Sequence, residues 1–297
     1  MAGRPILTTG SFRYATLPPG AIVSWCQTCL ATATAVRLRK RGRAYRLRLL
    51  AQDLAELLDQ EQVQRGVGIG HDWGVTILSR FAMYHSERVL ALALLGIGAS
   101  RPGTDFNLDA INDMTRRTTG SEMLGYIAYI SRDTTSQSAM EQNAGSVTSV
   151  LFAAKSDCWD RHLRPLGALK SFLERGGRDA VGAWYPQELQ EKHLSIFGRH
   201  GGYLGPSQYY KMLNHNLSVP DEEQLGDFTI AQPVLLAVPK DPAASSQMQF
   251  QMLSAWATDM DMVQFDPGHW VHIERSEETN AAIERFLIKH TGTQHTV

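Results

Sequence analysis

Hydrophobic residues occur along the chain in short continuous runs, and stretches with helical spacing separate these runs. The runs that have strand length are residues 66–69, 89–97, 232–238 and 262–265. Residues 89–97 and 232–238 are continuously apolar and predict strands that are buried on both faces, as in a parallel sheet, and residues 262–265 predict a last short strand. Residues 49–60 and 276–289 instead predict amphipathic helices. The inward face of the first helix is predicted to consist of Leu50, Leu54, Leu57 and Leu58.

A long central block interrupts this alternation of strands and helices. Residues 98–222 place Trp, Tyr, Leu and charged residues at helical spacing, with loop breaks at 176–177 and 201–202. A helical block inserted after one strand of an alternating series indicates an α/β fold, with a mostly parallel sheet and a helical cap. We therefore expect residues 1–97 and 223–297 to form the core and residues 98–222 to form the cap.

The most specific local pattern is Gly70-His71-Asp72-Trp73-Gly74, which follows an apolar strand and precedes a helical run over 75–88. Small residues two positions before and after the centre are needed in a nucleophile elbow, because larger side chains would clash with the tight backbone. The raised residue here is Asp72. A carboxylate nucleophile forms an ester by displacement at a saturated carbon. The turn therefore indicates a substrate such as an epoxide or an alkyl halide rather than an amide.

Two further residues complete a possible triad. Asp241 follows the buried strand at 232–238, and His269 follows the strand at 262–265. A carboxylate nucleophile needs a base to activate water and an acid to orient that base. Both residues come after the carboxyl ends of strands, where the sites of open α/β sheets form. Their order, nucleophile then acid then histidine, is the one that follows a nucleophile elbow.

Composition excludes several classes of partner. The net charge is −1 over 297 residues, so nothing overall indicates nucleic acid or an anionic membrane. The longest strongly apolar run, residues 89–99, is far shorter than the roughly 20 residues of a membrane span. Three cysteines suggest reduced thiols in an intracellular setting, so we expect a cytoplasmic protein. Cys26 and Cys29 have the spacing of half a zinc or redox site, but no second pair exists, and we predict no metal and no cofactor.

The start of the chain is unusual in charge. No Asp or Glu precedes Asp53, whereas residues 1–52 hold nine Arg and Lys. An acid-free, Arg-rich start is typical of a mitochondrial transit peptide. A basic run such as residues 36–43 is also found in nucleic-acid patches. Both interpretations stay open beside the third one given below.

The segments GHDWG, VPKD and DPGHWVHIERSEETN resemble the epoxide hydrolases of the α/β-hydrolase superfamily, a group related to the haloalkane dehalogenases. The similarity covers roughly residues 45–290. Residues 201–210 and 124–129 resemble two segments of that family's cap, each of which carries a tyrosine. The resemblance implies that Tyr210 and Tyr126 hold and protonate the epoxide oxygen, with Tyr129 as a near alternative to Tyr126.

The mechanism that the resemblance implies has two steps and needs only an epoxide and water. Asp72 opens the ring and becomes an ester, and His269, oriented by Asp241, then activates water to hydrolyse that ester. The backbone N–H of Trp73 supplies one oxyanion donor, as the residue after the nucleophile does in this fold. The product is a vicinal diol.

The first third of the chain departs from the family. Residues 11–19 look like the family's first strand, but the His-Gly-Phe-Pro loop that gives the second oxyanion N–H is missing, since no histidine precedes His71. Residues 24–34 can be encoded so that the frame starting at the third base reads Val, Leu or Met followed by Val-Pro-Asp-Met-Leu-Gly-Tyr-Gly-Asp, which resembles the end of a family strand. We hypothesise that residues 22–43 come from a shifted reading frame, which also explains their acid-free composition.

Two other functions stay open. A haloalkane dehalogenase shares the Asp nucleophile but needs a second halide-binding Trp or Asn and does not need paired tyrosines. A weakly active or inactive protein retained for binding is supported by the missing loop. Losing one oxyanion donor costs about 10²–10³ in rate in other hydrolytic enzymes.

Overall fold

The structure is a computed structural model that describes residues 21–25, 42–226, 228–240, 246–266 and 268–291. Five strands form one sheet in chain order, and every pair of neighbours is parallel. The strands are β1 Ala21–Trp25, β2 Gly66–His71, β3 Val89–Leu95, β4 Val234–Pro239 and β5 Met260–Phe265. The sequence prediction of a parallel α/β sheet is confirmed, and β2 to β5 lie where the apolar runs placed them.

Helices occupy most of the remaining described chain. Two short 3₁₀ helices are Gly42–Tyr45 and Ser86–Arg88. The α-helices are α1 Leu47–Gln60, α2 Trp73–Tyr84, α3 Leu108–Thr119, α4 Gly125–Arg132, α5 Ser136–Gln142, α6 Ala144–Leu151, α7 Cys158–His162, α8 Ala168–Glu174, α9 Gln187–Phe197, α10 Leu204–Asn214, α11 Val219–Glu222, α12 Ser246–Ser254, α13 Val271–Glu274 and α14 Ser276–Thr291. The breaks predicted at 176–177 and 201–202 fall between α8 and α9 and between α9 and α10.

The described residues divide into two compact units. The first unit holds residues 21–25, 47–104 and 219–291, and the second holds 42–46 and 105–218. The predicted boundaries after residues 97 and 222 lie a few positions from these limits. The placement of residues 42–46 in the second unit was not predicted. There Tyr45 is buried and packs edge-on against Tyr209, with 5.1 Å between the ring centroids. This contact between residues far apart in the sequence joins Tyr45 to the second unit.

One hydrophobic cluster of the first unit lies between the sheet and α14. Residues from β2, β3 and β4 are almost fully buried there, and α14 covers them with its apolar stripe of Ala282, Ile283, Phe286 and Leu287. Burying a large aliphatic or aromatic side chain contributes about 1.5–3 kcal/mol. This packing fixes the sheet whose carboxyl edge carries the candidate site.

Two sequence predictions about helices need correction. Helix α1 begins at Leu47, and its buried face consists of Leu47, Leu50, Ala51, Leu54, Ala55 and Leu58. Leu57 is only partly buried, because it lies about 60° around the helix from Leu54. Helix α2 ends at Tyr84 rather than near residue 88, since His85 leaves helical geometry at φ −139° and ψ 49°.

Strand β1 gives the nucleophile strand a neighbour on its second edge. Trp25 pairs with Gly70, two residues before Asp72 at the elbow, so β2 lies between β1 and β3. Residues 26–41 and 241–245 are not described. The predicted strand at 11–19, most of the segment at 22–43, the Cys26 and Cys29 pair, and Asp241 therefore lie outside the described residues. Within the described ranges, no helix is long and apolar enough to cross a membrane.

Candidate active site

The turn between β2 and α2 holds Asp72 in a strained conformation. Its φ is 53° and its ψ is −116°, a region that residues with a Cβ rarely adopt. Gly70 makes the turn possible, because a Cβ there would lie 2.7 Å from the backbone of Gly74. The amide of Asp72 donates to the carbonyl of Leu95 at 3.2 Å. The turn thus lifts the Asp72 side chain above the carboxyl edge of the sheet.

The two carboxylate oxygens of Asp72 meet different groups. Oδ1 accepts a hydrogen bond from the backbone N–H of Trp73 at 2.8 Å. Oδ2 lies 3.3 Å from Nε2 of His269, and both side chains keep some exposure to solvent, 24% for Asp72 and 17% for His269. One oxygen is therefore held by the backbone while the other faces a histidine. This arrangement suits a carboxylate that attacks through Oδ2 to form an ester, with His269 close enough to act as a base in the hydrolysis of that ester.

The peptide that joins His269 to Trp270 is held at both ends by side chains. Its carbonyl oxygen lies 2.9 Å from Nε2 of His71, and its N–H donates to Oε1 of Glu274 at 3.0 Å. Gly268, at φ 109°, leaves the space beside it that the Glu274 carboxylate fills. The short segment between β5 and α13 is thereby fixed against β2.

Three histidines and Trp270 form a ring cluster beside the elbow. The ring centroid of His71 lies 4.5 Å from that of His269, 4.4 Å from that of His272 and 4.9 Å from that of Trp270. Burial, followed by the neighbouring His272 and His269, holds the pKa of His71 well below its usual value. Burial and His269 lower the pKa of His272 to about 3. Both are neutral near pH 7, so the partly exposed His269 is the member of this cluster suited to act as a base.

The predicted acid of the triad lies outside the described residues. Strand β4 ends at Pro239, and the next residue, Lys240, donates its amide to the carbonyl of Phe265 at 2.9 Å. This bond keeps the exit of β4 beside the exit of β5. Asp241 follows directly, and its role as the partner of His269 stays a prediction.

The predicted tyrosines lie together in the second unit. Tyr126 is on α4 and Tyr210 is on α10, with ring centroids 5.9 Å apart and ring planes at 81°. Tyr129, the near alternative, is 7% exposed in the core of that unit. Burial, then Asp133 and Glu174, raises the pKa of Tyr129 to about 12. The structure thus pairs Tyr126 rather than Tyr129 with Tyr210.

From the sequence, His71 and His272 are assigned either to packing or to support of the residues that carry the chemistry, and Glu274 is not singled out. The signal that could have found Glu274 is its position at the end of α13, one turn after Trp270. In a helix of one turn, the side chain of the last residue can accept a hydrogen bond from one of the free backbone N–H groups at the start of the helix. Among the residues that the structure describes, no group of three or more His, Cys, Asp or Glu side chains is arranged to hold a metal ion.

The sequence is similar to a family profile and to several proteins of known activity. A sequence profile of the Ndr family matches residues 33–124. The chain is 26% identical over 252 residues to epoxide hydrolase A of Mycobacterium tuberculosis, covering 82% of this chain and 75% of that protein. It is 22% identical over 246 residues to bifunctional epoxide hydrolase 2 of Rattus norvegicus, covering 82% of this chain but only 43% of the rat protein.

Solved structures resemble the chain over a similar share of its length. Epoxide hydrolase A from Mycobacterium thermoresistibile superposes with a TM-score of 0.67 at 24% identity, covering 84% of this chain and 77% of that one. An epoxide hydrolase from an endophytic Streptomyces superposes with a TM-score of 0.70 at 19% identity, covering 86% and 77%. At these identities the superpositions establish the fold.

Proposed function

We propose that this chain belongs to the epoxide hydrolases of the α/β-hydrolase superfamily and that it opens an epoxide to a vicinal diol through an ester on Asp72. The proposal rests mainly on the different contacts of the two carboxylate oxygens of Asp72. Oδ1 is held by the Trp73 N–H, and Oδ2 lies 3.3 Å from Nε2 of His269. A carboxylate held in this way is oriented for nucleophilic attack and placed for later hydrolysis.

In the first step, Oδ2 of Asp72 attacks a ring carbon of the epoxide. A bond forms between Oδ2 and that carbon, the carbon–oxygen bond of the ring breaks, and the released oxygen takes a proton from a tyrosine hydroxyl. We assign this acid role to Tyr126 and Tyr210 together. Their neighbouring rings, in the unit we interpret as the cap, support the assignment. General acid catalysis of this kind contributes about 10²–10⁴-fold.

In the second step, His269 takes a proton from water, and the resulting hydroxide attacks Cγ of the ester. Negative charge then develops on Oδ1, the oxygen that already accepts from the Trp73 N–H. The bond between Cγ and Oδ2 breaks, and Oδ2 leaves with the diol, taking the proton of the new hydroxyl on Cγ, so that Asp72 returns as a carboxylate. The proton on His269 then restores the tyrosine hydroxyl that gave up its proton in the first step. In this proposal Asp241 orients His269 and stabilises the charged imidazole.

The rate of ester hydrolysis depends on whether a second backbone N–H stabilises the oxyanion beside the N–H of Trp73. The sequence lacks the His-Gly loop that supplies this donor in the family. Strand β1 ends at Trp25, which pairs with Gly70 two residues before Asp72. We propose that the chain retains activity with the Trp73 donor, at a rate reduced by up to about 10²–10³ if no second N–H replaces the loop.

A haloalkane dehalogenase is the less favoured alternative. The relatives described above are epoxide hydrolases, and a tyrosine pair serves an oxygen leaving group better than a halide. We also propose a cytoplasmic location, with epoxide and water as the partners in the reaction.

A single turnover in ¹⁸O-labelled water tests the mechanism. With enzyme in excess over an epoxide, the oxygen added to the diol should be unlabelled, because it comes from Oδ2 of Asp72. Water would then label the Asp72 carboxylate instead. A diol that carries the label in the first turnover would contradict an ester intermediate. The variant Asp72→Asn, at matched concentration, controls for uncatalysed hydration.

A further inference from the structure

We propose that His71 and Glu274 are positioning residues for His269, which hold the two ends of the peptide between His269 and Trp270 and so serve the hydrolysis of the Asp72 ester. The inference rests on the proposed function, because it assigns these side chains to the second step of that reaction. We call His71, this peptide and Glu274 the peptide clamp.

The first half of the peptide clamp is the contact between His71 and the carbonyl of His269. A carbonyl oxygen can only accept, so Nε2 of His71 must carry the proton of the 2.9 Å hydrogen bond. The buried position of His71, 2% exposed, holds its pKa well below the usual value. The ring therefore stays neutral and keeps one tautomer across the physiological pH range.

The second half is the contact between Glu274 and the N–H of Trp270. Oε1 of Glu274 accepts this hydrogen bond at 3.0 Å. Burial raises the pKa of Glu274, and the Trp270 N–H and His269 oppose that rise. With both ends of one planar peptide bonded, the orientation of the peptide plane is restrained. The Cα of His269 lies in that plane, so the point from which the His269 side chain starts is restrained with it.

The peptide clamp also joins the base to the nucleophile. His71 is the last residue of β2 and directly precedes Asp72. The side chain that holds the His269 loop is thus attached to the backbone that raises the nucleophile. A shift of the loop away from β2 would lengthen the 3.3 Å separation between Oδ2 of Asp72 and Nε2 of His269.

Only the second step of the proposed reaction uses His269. Ring opening needs the Asp72 carboxylate and the tyrosine hydroxyls, whereas ester hydrolysis needs a base at the correct distance from Cγ. A misplacement of about 1 Å can cost about 10²-fold in rate. Loss of the peptide clamp should therefore slow hydrolysis of the ester and leave its formation almost unchanged.

Matched variants separate positioning from packing. His71→Phe keeps a ring of similar size and removes the donor, whereas His71→Gln loses the ring and keeps an amide donor near the place of Nε2. Glu274→Leu removes the acceptor, and Glu274→Gln keeps an acceptor oxygen without the charge. A packing role predicts that Phe is tolerated better than Gln at residue 71. Positioning by the hydrogen bond predicts the reverse.

The experiment follows the ester by intact mass after rapid mixing of each variant with an epoxide, beside wild type and His269→Gln. We expect His71→Phe and Glu274→Leu to form the adduct at close to the wild-type rate and to lose it about 10–100-fold more slowly. His71→Gln and Glu274→Gln should lie closer to wild type than their partners. Two residues are tested because His71→Phe can fail at the level of folding, which a thermal melt reports.

The outcomes distinguish this inference from the function on which it rests. No adduct on folded His269→Gln with any epoxide would overturn the proposed function. An adduct on His269→Gln, together with wild-type hydrolysis in Glu274→Leu and in a folded His71→Phe, would overturn the inference alone. Equal slowing of ester formation and hydrolysis in these variants would also overturn it, because a general structural defect acts on both steps.

Discussion

The two units of the chain carry different kinds of candidate chemistry. In the first unit, an Asp, three histidines and a Glu lie on or beside strand ends, in a strained turn and a short loop held by hydrogen bonds. In the second unit, the candidates are two neutral tyrosines on adjacent helices. A nucleophile and its base need accurate mutual orientation, which rigid strand ends provide.

This difference implies that the two half-reactions can be separated by mutation. Changes at the elbow and the histidine loop should act on the ester, either on its formation through Asp72 or on its hydrolysis through His269. Changes at Tyr126 and Tyr210 should act on ring opening alone. The predictions below test this separation, beginning with the largest expected effect.

Replacing Asp72 by Asn should abolish diol formation, with a loss of about 10⁴–10⁶ in turnover. Asn keeps the shape of the side chain and tolerates positive φ, so the elbow should survive. Diol formation measured by chromatography and folding measured by a thermal melt check this expectation. Turnover within 100-fold of wild type would remove Asp72 from the nucleophile role.

Replacing both Tyr126 and Tyr210 by Phe should slow ester formation by about 10³-fold, and each single change should slow it by about 10–10²-fold, because the remaining hydroxyl still donates. Hydrolysis of an ester that has already formed should be unchanged. Tyr129→Phe is the matched control, since that ring lies in the core of the second unit. Loss of activity in Tyr129→Phe that equals the loss in Tyr126→Phe would contradict the assignment.

The units also differ in how their ion pairs contribute to stability. Arg80 and Glu222 are 2.7 Å apart and almost fully buried in the first unit, whereas Arg132 and Asp109 form an exposed pair in the second. Glu222 also accepts from the Gly103 amide, and Arg80 donates to the Ser100 carbonyl. Replacing Arg80 by Met leaves a buried, unpaired carboxylate and should lower the free energy of unfolding by about 3–5 kcal/mol.

Urea unfolding measures this difference. Arg132→Met is the control, and its unfolding midpoint should hardly change, because exposed pairs contribute little. The double variant Arg80→Met/Glu222→Leu should recover much of the loss, since neither charge then stays buried alone. A similar cost for Arg80→Met and Arg132→Met would show that burial does not separate the two pairs.

Acid should weaken the first unit through its buried histidines. The folded-state pKa values of His71 and His272 lie below those of the unfolded chain, so the unfolded chain binds more protons below about pH 6.5. Their contribution is present above that pH and is lost as pH falls towards the folded-state pKa, which for His272 is about 3. Each histidine should cost about 1.4 kcal/mol per pH unit in this window.

The measurement is urea unfolding at a series of pH values for wild type and His272→Phe. Because Phe does not titrate, the variant should lose stability less steeply between pH 6 and pH 5, two values chosen inside the window. An identical slope in both proteins would contradict burial of a neutral histidine at position 272. Both proteins contain the same carboxylates, so the contribution of the carboxylates to the pH dependence cancels when the two slopes are compared.

Most of the fold followed from the sequence. Continuous apolar runs predicted four of the strands, and the α/β-hydrolase fold expected from the resemblance is confirmed. Strand β1 was not predicted as a neighbour of β2, because its segment departs from the family pattern. Helix α12 was missed as well, since Gln and Met residues such as Gln247 and Met252 give it no clear apolar stripe.

Only part of the candidate site could be predicted from the sequence. The spacing of glycines around Asp72 predicts an elbow because steric limits act locally. The sequence favoured Tyr126 but left Tyr129 as a near alternative, since both lie on one short helix and only contacts with α10 and the core separate them. Glu274 was missed, and the peptide that His71 contacts was not identified, because hydrogen bonds to a distant peptide leave no pattern in the residues themselves.

The most direct test is the intact mass of His269→Gln after incubation with a panel of epoxides. Without the base, the ester on Asp72 should persist, and the protein should gain the mass of one epoxide. Peptide mapping should place this mass on the segment that contains Asp72, and the double variant Asp72→Ala/His269→Gln should gain none. A folded His269→Gln protein that gains no mass, or gains it equally without Asp72, would contradict the account.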